Sequence, residues 1–292
     1  MPTTTPSIRT RRSALYMPAS NVRAIEKARQ IDADVVILDL EDAVSPENKA
    51  QARAQAIEAV KAGGFGHSEV VVRCNGLDTE WGKDDLEALN TIRPDGVLVP
   101  KISGEKDVTR YHSAGGGSEG APLWLMIETT ASLFALGEIA QASARLGVSA
   151  WVIGTNDLAK EMRARLTQDR APVQAPLTLA VAAARLGGVD ILDGVYNDID
   201  DKEGFAAACI QGVDFGFDGK TLIHPSQLEP CNRIFTPSGE ELDWAQAIVD
   251  AYALPENRSA GAIRVNGKMT ERLHLIQAQR TLAVAASING RG

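Results

Sequence analysis

Short apolar runs recur along the chain, and a segment with helical character follows most of them. The runs are Ser13–Met17, Val35–Leu40, Val70–Arg73, Val97–Val99, Leu123–Ile127, Trp151–Ile153, Ile191–Leu192 and Phe215–Phe217. The helical segments between them are Val22–Ile31, Glu47–Lys61, Asp84–Ile92, Ser132–Leu146, Pro176–Leu186 and Asp201–Ile210. Strands that alternate with helices predict a parallel sheet with crossover connections.

Eight such strands fit a closed (β/α)8 TIM barrel, and a doubly wound open sheet is the competing interpretation. The uninterrupted apolar character of Val35–Leu40 and Leu123–Ile127 indicates strands that are covered on both faces. A chain of 292 residues is long enough for one such barrel. We therefore predict an α/β fold with three parts: a flexible leader over residues 1–12, a barrel catalytic domain over 13–237 and a C-terminal helical extension over 238–292.

The pattern changes after Phe217. Pro225, Pro230 and Pro237 predict a loop-rich stretch, and two helices are predicted at Ser238–Tyr252 and Thr270–Ala286, with Ser238 as a cap. The segment AIRVNGKM between them predicts a hairpin that turns at Asn266-Gly267. An extension of this size is too small to fold alone, so we expect it to pack on the barrel or to form a lid over a neighbouring subunit. Gly115–Gly117 is predicted to be a flexible linker.

Composition excludes some classes of function. The formal net charge of −8 disfavours a nucleic-acid or anionic-membrane partner, although a local basic cluster of Arg9, Arg11, Arg12, Arg23 and Lys27 is predicted. Three widely spaced cysteines fit a reducing cytoplasm better than a disulfide framework. No apolar run approaches the ~18 residues of a membrane span. The expected protein is cytoplasmic and binds a small molecule.

Polar residues gather where the predicted strands end, which in a barrel is the catalytic face. They are Asp39, Glu41, Asp42, Arg73, Asn75, Lys101, Glu128, Asn156, Asp157, Asp193, Asp218 and Lys220. A single carboxylate at such a position is more often a helix cap or an ion-pair partner than a catalytic group. The whole set is harder to explain in that way, so we expect an active site at this face.

Glu128 and Asp157 follow neighbouring predicted strands, so their carboxylates are expected to converge. Two carboxylates, completed by water and substrate oxygens, form the usual protein site for Mg²⁺, and Mn²⁺ is an alternative occupant. Histidine and cysteine clusters that would favour a softer metal are not seen in the sequence. Asp157 also opens the segment DLAKEM, so a capping role for it stays open.

Arg73 ends the apolar run VVVR, where a long cation needs a partner. A guanidinium can hold a carboxylate with two parallel hydrogen bonds. That carboxylate would belong either to a substrate or to a residue such as Glu128 or Asp42, and the two interpretations are compatible.

These residues, with their flanking motifs, resemble a known family. The segments RRSALYMPASN, VVILDLEDAVSPENK, VVVRCNGLDTEWG, DGVLVPK, LMIETTASL, VIGTNDLA, GFDGKTLIHPSQ and FTPSGEELDWA occur in this order and span nearly the whole chain. Together they are similar to the citrate lyase β-subunit-like branch of the HpcH/HpaI aldolase superfamily, in which malyl-CoA and citramalyl-CoA lyases also fall.

The resemblance implies a (β/α)8 barrel, a homotrimer or homohexamer, and a Mg²⁺-dependent reaction on a coenzyme A thioester of a hydroxy acid. By residue match, Glu128 and Asp157 would hold the metal, and Arg73 would bind the carboxylate of the oxo-acid portion. Pro18, Ser20, Arg23 and Lys27 lie where relatives approach coenzyme A, although Arg23 and Lys27 equally fit a solvated helix face.

The chain departs from the family pattern at two positions. Ala19 stands where relatives often have glycine, and Thr270-Glu271 follow the GKM segment where many relatives carry an aspartate delivered over a neighbour's active site. Glu271 is therefore one candidate for the general acid or base, beside Glu41 and Asp42.

The leading functional hypothesis is a carbon–carbon lyase that cleaves malyl-CoA, β-methylmalyl-CoA or citramalyl-CoA to an acyl-CoA and an oxo acid. The first alternative is a malyl-CoA thioesterase that uses the same site. The second is a citrate lyase β-subunit that works only in a complex. The sequence does not specify the acyl chain or its stereochemistry.

Overall fold

The computed structural model describes residues 9–115 and 120–290. Most of the predicted leader and Gly116–Gly117 of the predicted linker lie outside the described residues. Within the described residues, Arg11–Phe235 form one compact unit, and residues 9–10 and 236–290 belong to a second.

Eight parallel strands close into a barrel in sequential order, so the TIM-barrel prediction is confirmed and the open sheet is wrong. The pairing of β1 with β8 closes the ring. The strands of the described chain are β1 (Ser13–Pro18), β2 (Val35–Asp39), β3 (Glu69–Arg73), β4 (Gly96–Val99), β5 (Leu123–Ile127), β6 (Ala150–Ile153), β7 (Asp190–Asp193) and β8 (Gly219–Leu222).

Ten α-helices accompany these strands in the described part of the unit. They are α1 (Val22–Ala28), α2 (Lys49–Ala62), α3 (Gly82–Ile92), α4 (Glu105–Ser113), α5 (Thr130–Phe134), α6 (Leu136–Leu146), α7 (Thr155–Met162), α8 (Gln174–Gly187), α9 (Lys202–Phe215) and α10 (Leu228–Ile234). The predicted helix Ser132–Leu146 is broken at Ala135. The stretch after Phe217, predicted to be loop-rich, contains α10, which includes Pro230.

The last strand of the barrel was predicted at the wrong residues, Phe215–Phe217. Phe215 ends α9, and the strand is Gly219–Leu222, whose Lys220 and Thr221 are nearly fully buried. This strand does not stand out as an apolar run, because it contains Lys220. The charge of Lys220 is neutralised in the fold by Asp193, whose Oδ2 lies 2.8 Å from Nζ. Asp218 therefore precedes β8 instead of following it, and it pairs with Arg185 away from the catalytic face.

Alternation along the strands divides the buried residues into two layers. Val35, Ile37, Trp124 and Met126 belong to the core inside the barrel, whereas the residues between them pack in the layer beneath the helices. The same period of two continues at the strand ends. It directs Asp39, Arg73 and Glu128 inward, because each follows an inward residue by two positions.

The predicted basic cluster does not form. Arg11 and Arg12 immediately precede β1, where Arg11 pairs with Glu69 and Asp190 and Arg12 pairs with Asp34. These carboxylates neutralise the two cations at the amino-terminal end of the barrel. Arg23 follows the carboxyl end of β1, whereas Arg11 and Arg12 precede its amino end. These three arginines therefore do not share one basic surface.

The second unit is a helical pair with a small hairpin, as predicted. It contains α11 (Gly239–Ala253), β9 (Ala262–Val265), β10 (Lys268–Glu271) and α12 (Arg272–Asn289). Ser238 caps α11 as part of a capping box. Asn266 and Gly267 have φ of 46° and 83°, which are the positive values that a tight hairpin turn requires. No helix of the described chain is long and apolar enough to cross a membrane.

Candidate active site

A pocket of about 330 Å³ opens at the carboxyl ends of the barrel strands. Six of the strand-end residues singled out in the sequence line it: Asp39, Asp42, Arg73, Glu128, Asn156 and Asp157. The rest of its lining comes from the same ends and loops, and comprises Tyr16, Ala43, Met126, Ile153, Gly154, Thr155, Val195, Thr221 and Ile223. The expected convergence therefore occurs for these six residues.

Glu128 follows β5 and is almost completely buried, with 1% of its surface exposed. Its Oε1 accepts the backbone N–H of Lys101 at 2.8 Å, whereas its buried Oε2 has no hydrogen-bond partner among the described residues. Burial raises the pKa of this carboxyl above its ordinary value, although Lys101 opposes the shift. A buried carboxylate oxygen without a partner is costly, so Glu128 is suited to receiving a cation.

Gly154 leaves the room that Glu128 needs. A Cβ at this position would lie 2.5 Å from Cβ of Glu128 and 2.6 Å from its Oε2. Such distances are not tolerated between real atoms, so any side chain here would displace the carboxylate. The glycine of the VIGTN segment thus has a steric role that the sequence analysis did not assign.

Asp157 lies in the first turn of α7 instead of at a strand end, and its side chain is 30% exposed. Its Oδ2 is 2.9 Å from Nζ of Lys101, and the same ammonium is 3.5 Å from Oε1 of Glu128. One cation therefore contacts both predicted metal ligands. The capping alternative for Asp157 is not realised, because the residue lies beyond the cap position Gly154, and no side-chain cap bond is formed there.

Glu128 and Asp157 place two carboxylates near one ammonium, and a divalent metal could take both as ligands. The described residues hold no group of three or more His, Cys, Asp or Glu side chains that could bind a metal by themselves. Two carboxylates fit Mg²⁺, which usually retains several waters and takes one or two carboxylates plus substrate oxygens. The unpartnered Oε2 of Glu128 and the space left by Gly154 also agree with a cation at this position.

Arg73 is held from one side by a carboxylate that the sequence analysis placed nearby but did not assign as its partner. Its Nε and Nη2 donate to the two oxygens of Asp39 at 2.7 and 2.6 Å. Burial alone would lower the pKa of Arg73, but Asp39 and Glu41 keep it well above the ordinary value. Arg73 thus forms the predicted two-pronged contact with a residue of the protein itself, and Nη1 is the guanidinium nitrogen that takes no part in it.

Glu41 and Asp42 both approach that remaining nitrogen. Nη1 of Arg73 lies 3.0 Å from Oε2 of Glu41 and 3.3 Å from Oδ2 of Asp42. The predicted pairing with Asp42 is therefore confirmed. The Glu41 contact is an ion pair without hydrogen-bond geometry, since its Oε2 has no hydrogen-bond partner in the part of the chain that the structure describes. Burial raises the pKa of Glu41 to about 8, and Arg73 reduces the shift.

Tyr16 is a site residue that the sequence analysis missed. The guanidinium of Arg73 lies over its ring, 4.9 Å from the centroid, and its hydroxyl is 3.5 Å from the sulfur of Met126. Burial raises the pKa of this hydroxyl well above its ordinary value, so it stays protonated. The inward alternation of Ala14 and Tyr16 in β1 was the signal that could have identified it.

Two other strand-end residues have structural roles. Asn75 is buried and donates its side-chain N–H to Asp85 at 2.6 Å. Asp193 is fully buried, and Lys220 and Arg170 hold its pKa below the ordinary value despite its burial. Neither residue lines the pocket that the described chain forms around Glu128.

The residues predicted to approach coenzyme A do not line this pocket within the described chain. Pro18 ends β1 and Ser20 follows it, and both are half-buried. Arg23 and Lys27 are exposed on α1. Glu271 belongs to the second unit, where it caps α12. The roles predicted for these five residues stay predictions.

The chain is similar to known proteins over nearly its whole length. Residues 12–225 match the family model described as HpcH/HpaI aldolase/citrate lyase. A (3S)-malyl-CoA thioesterase of Cereibacter sphaeroides is 45% identical over 277 residues, which cover 95% of this chain and 95% of that protein. An L-malyl-CoA/beta-methylmalyl-CoA lyase of the same species is 32% identical over an alignment of 311 positions, which covers 97% of this chain and 97% of that protein.

A solved structure has the same fold. The crystal structure of protein CitE from Mycobacterium tuberculosis, in complex with magnesium, acetoacetate and coenzyme A, aligns with a TM-score of 0.77 and 27% identity. The alignment covers 96% of this chain and 100% of that chain.

Proposed function

The chain belongs to the HpcH/HpaI aldolase/citrate lyase family, and on this basis we propose that it is a Mg²⁺-dependent hydrolase of malyl-type coenzyme A thioesters. The observation that carries the substrate class is the approach of Glu128, Asp157 and Arg73 to one pocket. The two carboxylates suit a divalent cation, and the guanidinium suits the carboxylate of a hydroxy acid.

The preference for hydrolysis rests on the relatives. The thioesterase shares 45% of its residues with this chain and the lyase 32%, with both alignments covering nearly the whole length. The hydrolase, held as an alternative on the sequence alone, thus becomes the leading proposal. Lyase and hydrolase would use the same groups, because both begin with the same bound hydroxyacyl thioester.

Glu128 and Asp157 would hold Mg²⁺, and Mn²⁺ is an alternative. When bound, the metal would supply Lewis acidity and a template for the oxygens of the hydroxy acid. The protein's own contribution is a preformed, water-poor position for Glu128, fixed by the Lys101 backbone and by the space at Gly154. Because this carboxylate is already held in position, less rearrangement of the protein would accompany metal binding.

Arg73 would orient the free carboxylate of the substrate. Asp39 occupies its Nε–Nη2 edge, so Nη1 is the group that remains to meet a ligand. An incoming carboxylate would compete there with Glu41 and Asp42. We therefore expect substrate binding to loosen the Arg73–Asp42 contact, which is the longer of the two.

Proton transfer would be the role of Glu41, with Asp42 and Glu271 as the other candidates. A pKa of about 8 allows Glu41 to hold or release a proton near neutral pH, which suits a general acid or base. In hydrolysis, water adds its oxygen to the thioester carbonyl carbon and the C–S bond breaks. The water proton taken by the base is then returned to the departing thiolate, which gives malate and free coenzyme A.

The second candidate is carbon–carbon cleavage of malyl-CoA, β-methylmalyl-CoA or citramalyl-CoA. The specific support is the 32% identity to a malyl-CoA/β-methylmalyl-CoA lyase over 97% of both chains. In that reaction a base takes the hydroxyl proton, the carbon–carbon bond breaks to leave an oxo acid, and the acyl-CoA enolate is then protonated.

One product analysis separates these candidates. The isolated chain is incubated with malyl-CoA and Mg²⁺, and malate, glyoxylate and free coenzyme A are quantified together, with chelator as the control. Hydrolysis predicts equal amounts of malate and coenzyme A without glyoxylate. Glyoxylate with acetyl-CoA would overturn hydrolysis in favour of the lyase. No turnover of this substrate, β-methylmalyl-CoA or citramalyl-CoA would favour a citrate lyase β-subunit that needs its complex.

Three further features stay predictions. These are a homotrimer or homohexamer, a cytoplasmic location, and a C-terminal extension that carries Glu271 to a neighbouring subunit. Sedimentation tests the first, and a Glu271→Gln variant tests whether this residue acts in catalysis at all, which the third requires. If the assembly is intact but turnover falls at least tenfold, Glu271 takes part in catalysis.

A further inference from the structure

Lys101 has an unusual position in the site. It is a non-glycine residue with φ of +55°, in the left-handed region that an ordinary side chain rarely adopts. This conformation directs its backbone N–H to Oε1 of Glu128 at 2.8 Å. Its side chain is 40% exposed and returns to the same carboxylate, with Nζ at 3.5 Å.

The ammonium also lies 2.9 Å from Oδ2 of Asp157. It is the cation that contacts both carboxylates within the described chain. Without it, two negative side chains would face each other, one of them 1% exposed and with an unpartnered oxygen. Like charges in such surroundings repel and favour protonation or displacement, so the lysine stabilises the pair in the metal-free protein.

We propose that Lys101 is a built-in counter-cation of this carboxylate pair, which a divalent metal must displace in order to bind. The inference rests on the proposed function, because it takes Glu128 and Asp157 as the metal ligands. Two roles are thereby separated within one residue. The backbone N–H positions Glu128 in every state, and the side chain neutralises the pair only when the metal is absent.

The consequence is that the two carboxylates bind a divalent metal with only moderate affinity. The net charge of the two carboxylates and the lysine is −1, compared with −2 for the carboxylates alone. A divalent cation therefore meets a weaker field and must also move a positive group from its path. The flexible four-carbon stem and the partial exposure of Lys101 allow its ammonium to withdraw towards solvent.

Calorimetric titration with Mg²⁺ at one fixed pH tests this inference. Lys101→Gln retains the backbone N–H but removes the charge, so its Kd for Mg²⁺ should fall about tenfold, as expected for the loss of one neighbouring positive charge. Its metal-free melting temperature should be lower than that of the wild type. Lys101→Arg retains the charge and should bind Mg²⁺ like the wild type. Lys160→Gln, an exposed change on the helix that carries Asp157, controls for net charge.

An unchanged or larger Kd in Lys101→Gln would overturn the inference, because the side chain would then be neutral for the metal or would assist it. A second measurement uses the wild type and needs no variant to fold. Acetic anhydride labelling of Lys101, measured by peptide mass spectrometry, should increase when Mg²⁺ is added. Equal or weaker labelling would show that the ammonium is not displaced.

These outcomes separate the inference from the proposed function. If Glu128→Gln retains the wild-type Mg²⁺ affinity, the metal site itself is wrong, and the inference fails with it. If Glu128→Gln loses binding but Lys101→Gln does not gain it, only the counter-cation inference fails.

Discussion

Asp39 and Arg73 are directly opposite each other on β2 and β3, and their side chains form a two-pronged ion pair of 2.6 and 2.7 Å in the lining of the pocket. Asp39 also accepts the backbone N–H groups of Glu41 and Ala43, at 2.9 and 3.1 Å. One buried carboxylate thus fixes both the guanidinium and the loop that carries Glu41. This explains how two groups of the site hold a defined geometry.

Asp39→Asn should reduce kcat/KM at least tenfold, mainly through KM, because Arg73 loses the partner that orients it. The protein should also be destabilised by about 3 kcal/mol, since a buried charge would be left without its main counter-charge. Steady-state kinetics and denaturant unfolding measure the two effects. A variant with full stability loss but unchanged KM would show that the pair serves the fold alone.

Arg73→Lys should lower kcat/KM about a hundredfold, because an ammonium cannot bond Asp39 on one edge and a substrate carboxylate on another. Circular dichroism should be unchanged. Arg145→Lys is the matched control, as Arg145 forms an exposed pair with Glu105 at 2.6 Å. Near-normal turnover of Arg73→Lys would remove this residue from substrate binding.

Glu128→Gln and Asp157→Asn should each abolish Mg²⁺-dependent turnover and weaken Mg²⁺ binding by at least tenfold. The fold should persist, and Glu128→Gln should be as stable as the metal-free wild type or more so, since burial disfavours the charge of Glu128. Calorimetry and thermal unfolding are the measurements. Glu138→Gln, an exposed change on α6, provides the control.

Gly154→Ala should impair the site although it neither adds nor removes a charge. The added Cβ would fall 2.5 Å from Cβ of Glu128, so the carboxylate would have to move, and Mg²⁺ affinity and turnover should both fall at least tenfold. Gly137→Ala is the control, because a Cβ there would meet no atom of the described residues within 4 Å. Equal Mg²⁺ affinity in the two variants would contradict the steric role of Gly154.

Glu41 should make the stability of the metal-free protein depend on pH. Its folded-state pKa of about 8 exceeds the ordinary 4.5, so the folded state retains a proton that the unfolded chain has lost. The stability that this proton gives is complete below pH 4.5 and is lost as pH rises towards 8.

Glu41→Gln removes that dependence. Its melting temperature should match the wild type near pH 4 and exceed it by roughly 4 °C or more at pH 8.5. Thermal unfolding across this range is the measurement, and Glu80→Gln, an exposed change, is the control. Parallel curves for Glu41→Gln and the wild type would contradict the raised pKa.

Much of the fold was predictable because the signals are local. Leu123–Ile127 is apolar throughout because a barrel strand is covered on both faces, and the structure reproduces its predicted bounds. β8 was missed for the opposite reason. Its Lys220 looks unsuitable for burial until Asp193, 27 residues away, is brought beside it.

The sequence by itself determined where β3 and β5 end, and therefore that Arg73 and Glu128 lie at the catalytic face. Only the tertiary structure decided which of those residues meet. Asp39 holds Arg73, and Lys101 joins Glu128 to Asp157, because ring closure, strand register and one left-handed backbone angle bring them together. Burial patterns are encoded locally by hydrophobic period, whereas contacts between strand ends depend on the whole barrel.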